Sequence, residues 1–99
     1  MNDAARLPPA ERVRRQVTIC NRRGLHARAA ARFVKLAGEF AAEVMVRKNG
    51  TEVSGRSIMG LMMLAAGPGT TIELSAAGPD AERAVAALAD LVRCGFDEE

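Results

Sequence analysis

An α+β fold, a two-layer open-faced sandwich of one four-stranded antiparallel sheet with three helices on one face, follows from three features of this sequence. Four short segments have strand character. Three others carry apolar residues at helical spacing. An Asn49-Gly50 pair separates two of the strands, and this dipeptide tolerates the positive φ angles of a two-residue hairpin turn. In chain order the elements run β-α-β-β-α-β-α. Strands with one apolar face need that face covered, and three amphipathic helices can cover it.

Residues 1–11 contain Pro8-Pro9 and no apolar periodicity, so a mobile tail is expected there, with residues 12–99 forming a single domain. Val13 to Cys20 alternates, with Val13, Arg15, Val17 and Ile19 on one face and Arg14, Gln16 and Thr18 on the other. After a polar turn at Asn21 to Gly24, Ala30, Phe33, Val34 and Ala37 mark the core stripe of a first helix that Gly38 ends. Ala42 to Lys48 and Thr51 to Ser54 are the hairpin strands. Ser57 caps a short helix running to Leu64. Thr70 to Ala76 is the fourth strand, with Ile72 and Leu74 facing one way and Thr71, Glu73 and Ser75 the other. A last helix begins at Gly78-Pro79-Asp80 and runs to about Arg93, burying Ala81, Ala84, Val85, Leu88 and Val92. Gly95 and Phe96 suit its C-terminal cap.

Composition narrows the function. The chain has 99 residues, 48% of them apolar, enough for one core without disulfides or metal. The net charge of +2 is too small to imply nucleic acid, and with no Trp or Tyr only Phe33, Phe40 and Phe96 could serve as stacking platforms, so base stacking is poorly supported. No apolar run approaches the roughly 18 residues of a membrane span, and the N-terminus lacks a secretory pattern. A cytoplasmic protein with no membrane insertion is expected. Cys20 and Cys94 match no metal-ligand or redox spacing and are expected as buried or half-buried thiols in a reducing compartment.

His26 is the one histidine, and it stands between a glycine turn and a helix start. Imidazole is the side chain best suited to be a neutral nucleophile near pH 7. The first helical turn leaves backbone N–H groups unpaired, here those of Ala27 and Arg28, and these with the helix dipole favour an anion. The Arg28 guanidinium adds forked donors that suit phosphate oxygens. Gly24 permits the tight entry, and Ala27 and Ala29 leave the site uncrowded. This local chemistry leaves two readings open, a nucleophile and an ordinary capping or surface histidine.

Gly24-Leu25-His26-Ala27-Arg28-Ala29-Ala30 closely resembles the active-site motif of the histidine-containing phosphocarrier (HPr) family of the phosphoenolpyruvate-dependent phosphotransferase system. Ser57-Ile58-Met59-Gly60-Leu61-Met62-Met63-Leu64 resembles the family's regulatory-serine segment, and the resemblance spans residues 12–96. One departure is Ala29, where the family usually has proline. The closing Cys94-Gly95-Phe96-Asp97-Glu98-Glu99 is more like the nitrogen-related branch.

The resemblance implies that enzyme I phosphorylates His26 on Nδ1, that Arg28 and the Ala27 and Arg28 amides stabilise the phosphate, and that an enzyme IIA-type acceptor receives it. The chain is then a phosphoryl carrier and not an enzyme with its own turnover; no cofactor and no metal are expected. In some bacteria of the family a dedicated kinase, HPr kinase/phosphorylase, phosphorylates the serine that Ser57 matches.

The segment after Ser57 has no charge. Leu61 and Leu64 can face the sheet while Ile58, Met59 and Met62 stay at the surface, as adaptable residues for docking partners. Arg28, Arg32 and Lys35 form a basic stripe that is either a solvated face or a guide for acidic partners. A monomer is expected, because relay partners need an accessible site. The main alternative is a docking module of the same fold that regulates without carrying phosphate, against which His26 argues. A small-ligand domain or an RNA-binding domain is a more distant rival.

Overall fold

Alternation in the first segment becomes β1 (Val13–Thr18), two residues shorter than its apolar pattern. There follow α1 (Ala27–Ala37), β2 (Glu43–Lys48), β3 (Thr51–Ser54), α2 (Ile58–Met63), β4 (Thr71–Ala77) and α3 (Ala81–Arg93), with a 3-10 turn at Gly95–Asp97. The computed structural model describes residues 12 to 98, so the expected tail at residues 1–11 lies outside them. The strands form one antiparallel sheet in the order β1-β4-β2-β3, with Val17 opposite Ile72 and Val46 opposite both Leu74 and Val53. Asn49 and Gly50 take φ values of 50° and 84°, the conformation that closes the β2–β3 hairpin.

One core lies between sheet and helices. Val44, Val46, Ile72 and Leu74 from the sheet meet Phe33 from α1, Leu61 from α2 and Val85, Leu88 and Val92 from α3, all buried. The helix α3 lies across β1 and β4, and α1 packs against both α2 and α3. Ala30, Phe33 and Ala37 are buried as their spacing predicts, and Ala29 joins them. Small residues on that face let α1 approach its neighbours closely.

Three expectations need correction. Arg15 shares the inner face of β1 by alternation but is exposed. On an edge strand its long stem can carry the charge around to water. Ser75, placed outside by the same logic, is buried. Arg12 covers it, donating from Nε to Ser75 Oγ at 3.1 Å while pairing with Glu43 at 2.7 Å. Cys20 and Cys94 are both exposed instead of buried.

The apolar patch is held by its ends. Ser57 caps α2, its Oγ accepting from the Gly60 N–H at 2.8 Å. At the other end Lys48 Nζ donates to the carbonyls of Leu64 at 2.8 Å and Ala65 at 3.2 Å. Leu61 and Leu64 face inward, whereas Met59 and Met63 are 70% and 78% exposed and Ile58 and Met62 about 40%. Ser57→Ala is expected to cost about 1 kcal/mol, the usual worth of such a cap, read as a lower urea midpoint with unchanged slope.

Candidate functional site

The loop that delivers His26 is built from a turn and an anchor. The Gly24 N–H donates to Asn21 O at 3.2 Å, and Asn21 Nδ2 donates to Gly24 O at 2.9 Å, closing residues 21–24 twice over. Gly24 has φ +66°, and a Cβ there would lie 2.3 Å from Ala66 O. Only glycine fits this close approach. The next residue, Leu25, is buried and its N–H donates to Ala66 O at 3.0 Å. Loop and core therefore fix the residue that follows.

That residue, His26, is the N-cap of α1, with φ −74° and ψ 178°. Its Nδ1 accepts from the Arg28 N–H at 3.3 Å. Its Nε2 bonds to Glu98 Oε2. A backbone N–H only donates, so the geometry calls for a lone pair on Nδ1; a carboxylate only accepts, so the ring hydrogen belongs on Nε2. The two partners together select the tautomer whose Nδ1 is nucleophilic. The ring is partly covered, its side chain 15% exposed.

Glu98 reaches the ring because the chain folds back after α3. Gly95, Phe96 and Asp97 take φ values of 64°, 56° and 62°, and Phe96 is fully buried. Arg32 Nη1 donates to Phe96 O and ties this segment to α1. Glu98 Oε1 accepts from Asn21 Nδ2 at 3.0 Å. The Asn21 amide is the main influence holding the Glu98 carboxyl below the ordinary carboxylate value. Desolvation, the next largest influence, pushes the other way, and His26 and then Arg23 add smaller pulls downward.

Around the ring lies a cavity of about 400 Å³ lined by Arg22, Arg23, His26, Arg28, Arg32 and Glu98, with Asp97 beside it. Four arginines against two carboxylates leave it positive, which suits an anion at the opening of α1. The expected His26, Arg28 and Arg32 meet here, and Ala27 is exposed beside them. Lys35 is exposed further along α1, outside the residues that line the cavity. Ser57, Ile58, Met59 and Met62 lie at α2, which packs on α1. Asn21, Arg22, Arg23 and Glu98 are functional candidates that local sequence did not single out. Only the paired arginines before Gly24 offered a signal. Among the described residues no group of three His, Cys, Asp or Glu could hold a metal ion.

Fold and site together define a class: a small α+β protein that presents one imidazole, with its Nδ1 lone pair at a helix start, inside a basic cavity. The family description "PTS HPr component phosphorylation site" matches residues 13–93. The phosphocarrier protein HPr of Cupriavidus necator is 48% identical over 86 residues, 87% of this chain and 97% of its own. The phosphocarrier protein NPr of Shewanella violacea is 47% identical over 87 residues, 88% and 96% of the two chains. A crystal structure of HPr from Thermoanaerobacter tengcongensis superposes with a TM-score of 0.84 at 42% identity, covering 88% of this chain and 98% of that one.

The chain belongs to the HPr family of phosphocarrier proteins, and the role of carrier in the phosphotransferase system follows from that membership. Relatives named HPr and NPr stand at nearly equal identity, so the comparison does not divide the sugar and nitrogen branches.

Proposed function

We propose that His26 receives the phosphoryl group on Nδ1 from phosphorylated enzyme I and passes it to an enzyme IIA-type acceptor, the protein acting in the cytoplasm as a monomer without turnover of its own. The supporting observation is the pair of partners on the imidazole, Arg28 N–H at Nδ1 and Glu98 at Nε2. As the Nδ1–P bond forms, the bond from phosphorus to the donor's leaving atom breaks. The Arg28 N–H then turns from nitrogen to a phosphoryl oxygen, joined by the Ala27 N–H and the Arg28 guanidinium. The positive charge that develops on the ring is met by Glu98. Positioning and charge are most of what phosphoryl transfer asks of a protein.

Ile58, Met59 and Met62 form the docking face for both partners, and the basic side chains of Arg28, Arg32 and Lys35 guide acidic surfaces toward it. Phosphorylation of Ser57 by an HPr kinase/phosphorylase adds roughly −1.5 to −2 charge beside that face and weakens docking. The experiment is direct: incubate the protein with enzyme I and labelled phosphoenolpyruvate, then map the label. Acid-labile, base-stable label on the His26 peptide supports the carrier. No label, with the protein still binding enzyme I, favours the docking module instead.

Glu98→Gln is expected to slow phosphoryl uptake about tenfold, because the neutral amide stabilises neither the tautomer nor the ring cation as well. Its stability effect has a defined pH sense. The depressed carboxyl contributes fully above its ordinary value of 4.5 and loses that contribution as pH falls through its lower folded value. Urea midpoints of the wild type and the variant should therefore differ at neutral pH and converge in acid.

A further inference from the structure

Two exposed cysteines, 74 positions apart in the chain, meet at one place. Cys20 Sγ lies 3.4 Å from Val92 O and 3.5 Å from Arg93 O, the carbonyl of the peptide that leads into Cys94. On the far side of Cys94, a Cβ built on Gly95 would stand 4.0 Å from the same sulfur. Backbone on both sides of Cys94 thus flanks the Cys20 thiol. Both cysteines line one open cleft with Asn21, Arg22, Arg93 and Glu98. A disulfide needs the two Cα atoms within about 7 Å, so bonding demands that the two cysteines be neighbours in space, as their flanking backbone is here.

From this juxtaposition we propose that Cys20 and Cys94 are a redox-sensitive pair that closes to an intramolecular disulfide by exchange with an anionic low-molecular-weight disulfide such as glutathione disulfide. The thiolate of one cysteine attacks the glutathione disulfide and releases one glutathione thiolate. The second thiolate attacks the mixed disulfide and releases the other. Two protein thiols give up two electrons and two protons, and one glutathione disulfide becomes two glutathione molecules. Arg22 and Arg93 at the cleft suit the negative charge of that reagent. In a reducing compartment such a bond is transient and reports oxidative conditions.

The consequence is mechanical. Cys20 directly precedes Asn21, and Cys94 directly precedes the Gly95–Asp97 turn that carries Glu98 to His26. A covalent bond between them clamps the C-terminal segment to the loop that holds the imidazole. Its effect on phosphoryl transfer rests on the carrier reading above, but the bond itself does not.

The test is to equilibrate the full chain in glutathione buffers of graded ratio, quench with acid and obtain intact masses and a non-reducing peptide map. The expected product is a monomer lacking two hydrogens, with Cys20 joined to Cys94; Cys20→Ser and Cys94→Ser should instead accumulate the glutathione adduct. Amide exchange at Asp97 and Glu98, which donate to Cys94 O and Gly95 O, should slow about tenfold on oxidation and recover with dithiothreitol. Stable glutathione adducts on the wild type, a disulfide-linked dimer, or no reaction overturns the pair. Unchanged exchange in the oxidised monomer overturns the clamp. A failure of enzyme I to phosphorylate the protein touches none of these readouts and counts against the carrier reading alone.

Discussion

Exchange of His26 for alanine is expected to remove all acid-labile label while leaving a folded protein. The ring is the only imidazole in the chain and sits at the surface end of α1, not within the core. Its structural contributions are the cap bond accepted from the Arg28 N–H, worth about 1 kcal/mol when such a cap is lost, and the surface bond from Nε2 to Glu98. For a domain of this length, 1 kcal/mol lowers Tm by roughly 4 to 8 °C, so the variant remains testable at room temperature. Scintillation counting after acid and base treatment gives the answer, with circular dichroism as the control for folding. Label that persists on the alanine variant would move the chemistry to another residue.

A second large effect is expected at a residue with no side chain. Gly24→Ala combines two penalties. The left-handed φ of +66° strains any L-residue by about 1 kcal/mol. The added methyl would also stand 2.3 Å from Ala66 O and 2.9 Å from the Gly67 Cα, both backbone atoms that cannot rotate away. Relief requires the loop to lift and the Leu25 N–H to leave Ala66 O, which withdraws the anchor next to His26. A destabilisation of about 3 to 5 kcal/mol is expected, with phosphoryl uptake falling in parallel. Gly50→Ala is the matched control: φ is +84°, but no atom lies within 4 Å of the added methyl. It should show the strain alone, about 1 kcal/mol. Equal urea midpoints for the two variants would rule out the clash as the cause.

The contrast between those glycines shows what was open to sequence reading and what was not. Asn49-Gly50 announces its hairpin because the signal is local, and β3 falls on Thr51–Ser54 as expected. The stripe of α1 and the inward Leu61 and Leu64 of α2 were equally readable, since helical spacing depends only on neighbours within a turn or two. Even the placement of His26 at a helix start came from its immediate surroundings. Glu98 could not be read this way: it lies 72 residues from the ring it holds, and a carboxylate near a chain end has no pattern of its own. Arg32 looked like part of a solvated stripe until the Phe96 carbonyl supplied its partner. Asp80 stands at the N-cap position of α3, yet its carboxylate accepts from the distant Ala41 N–H at 2.8 Å and from no amide of its own helix. The two cysteines, whose spacing matched nothing, meet only because β1 leads out beside the end of α3. In each case the missing information was which distant segments the completed fold would bring side by side.

The small helix α2, with Ser57 at one end and the Lys48 ammonium at the other, is six residues long, about 9 Å. On the docking reading proposed above, so short a helix suits a brief encounter, and its thioethers adjust to differently shaped neighbours at little cost. On the carrier reading brevity is useful: each encounter ends quickly, since residence time is where such affinity is set, and the next neighbour finds the platform vacant.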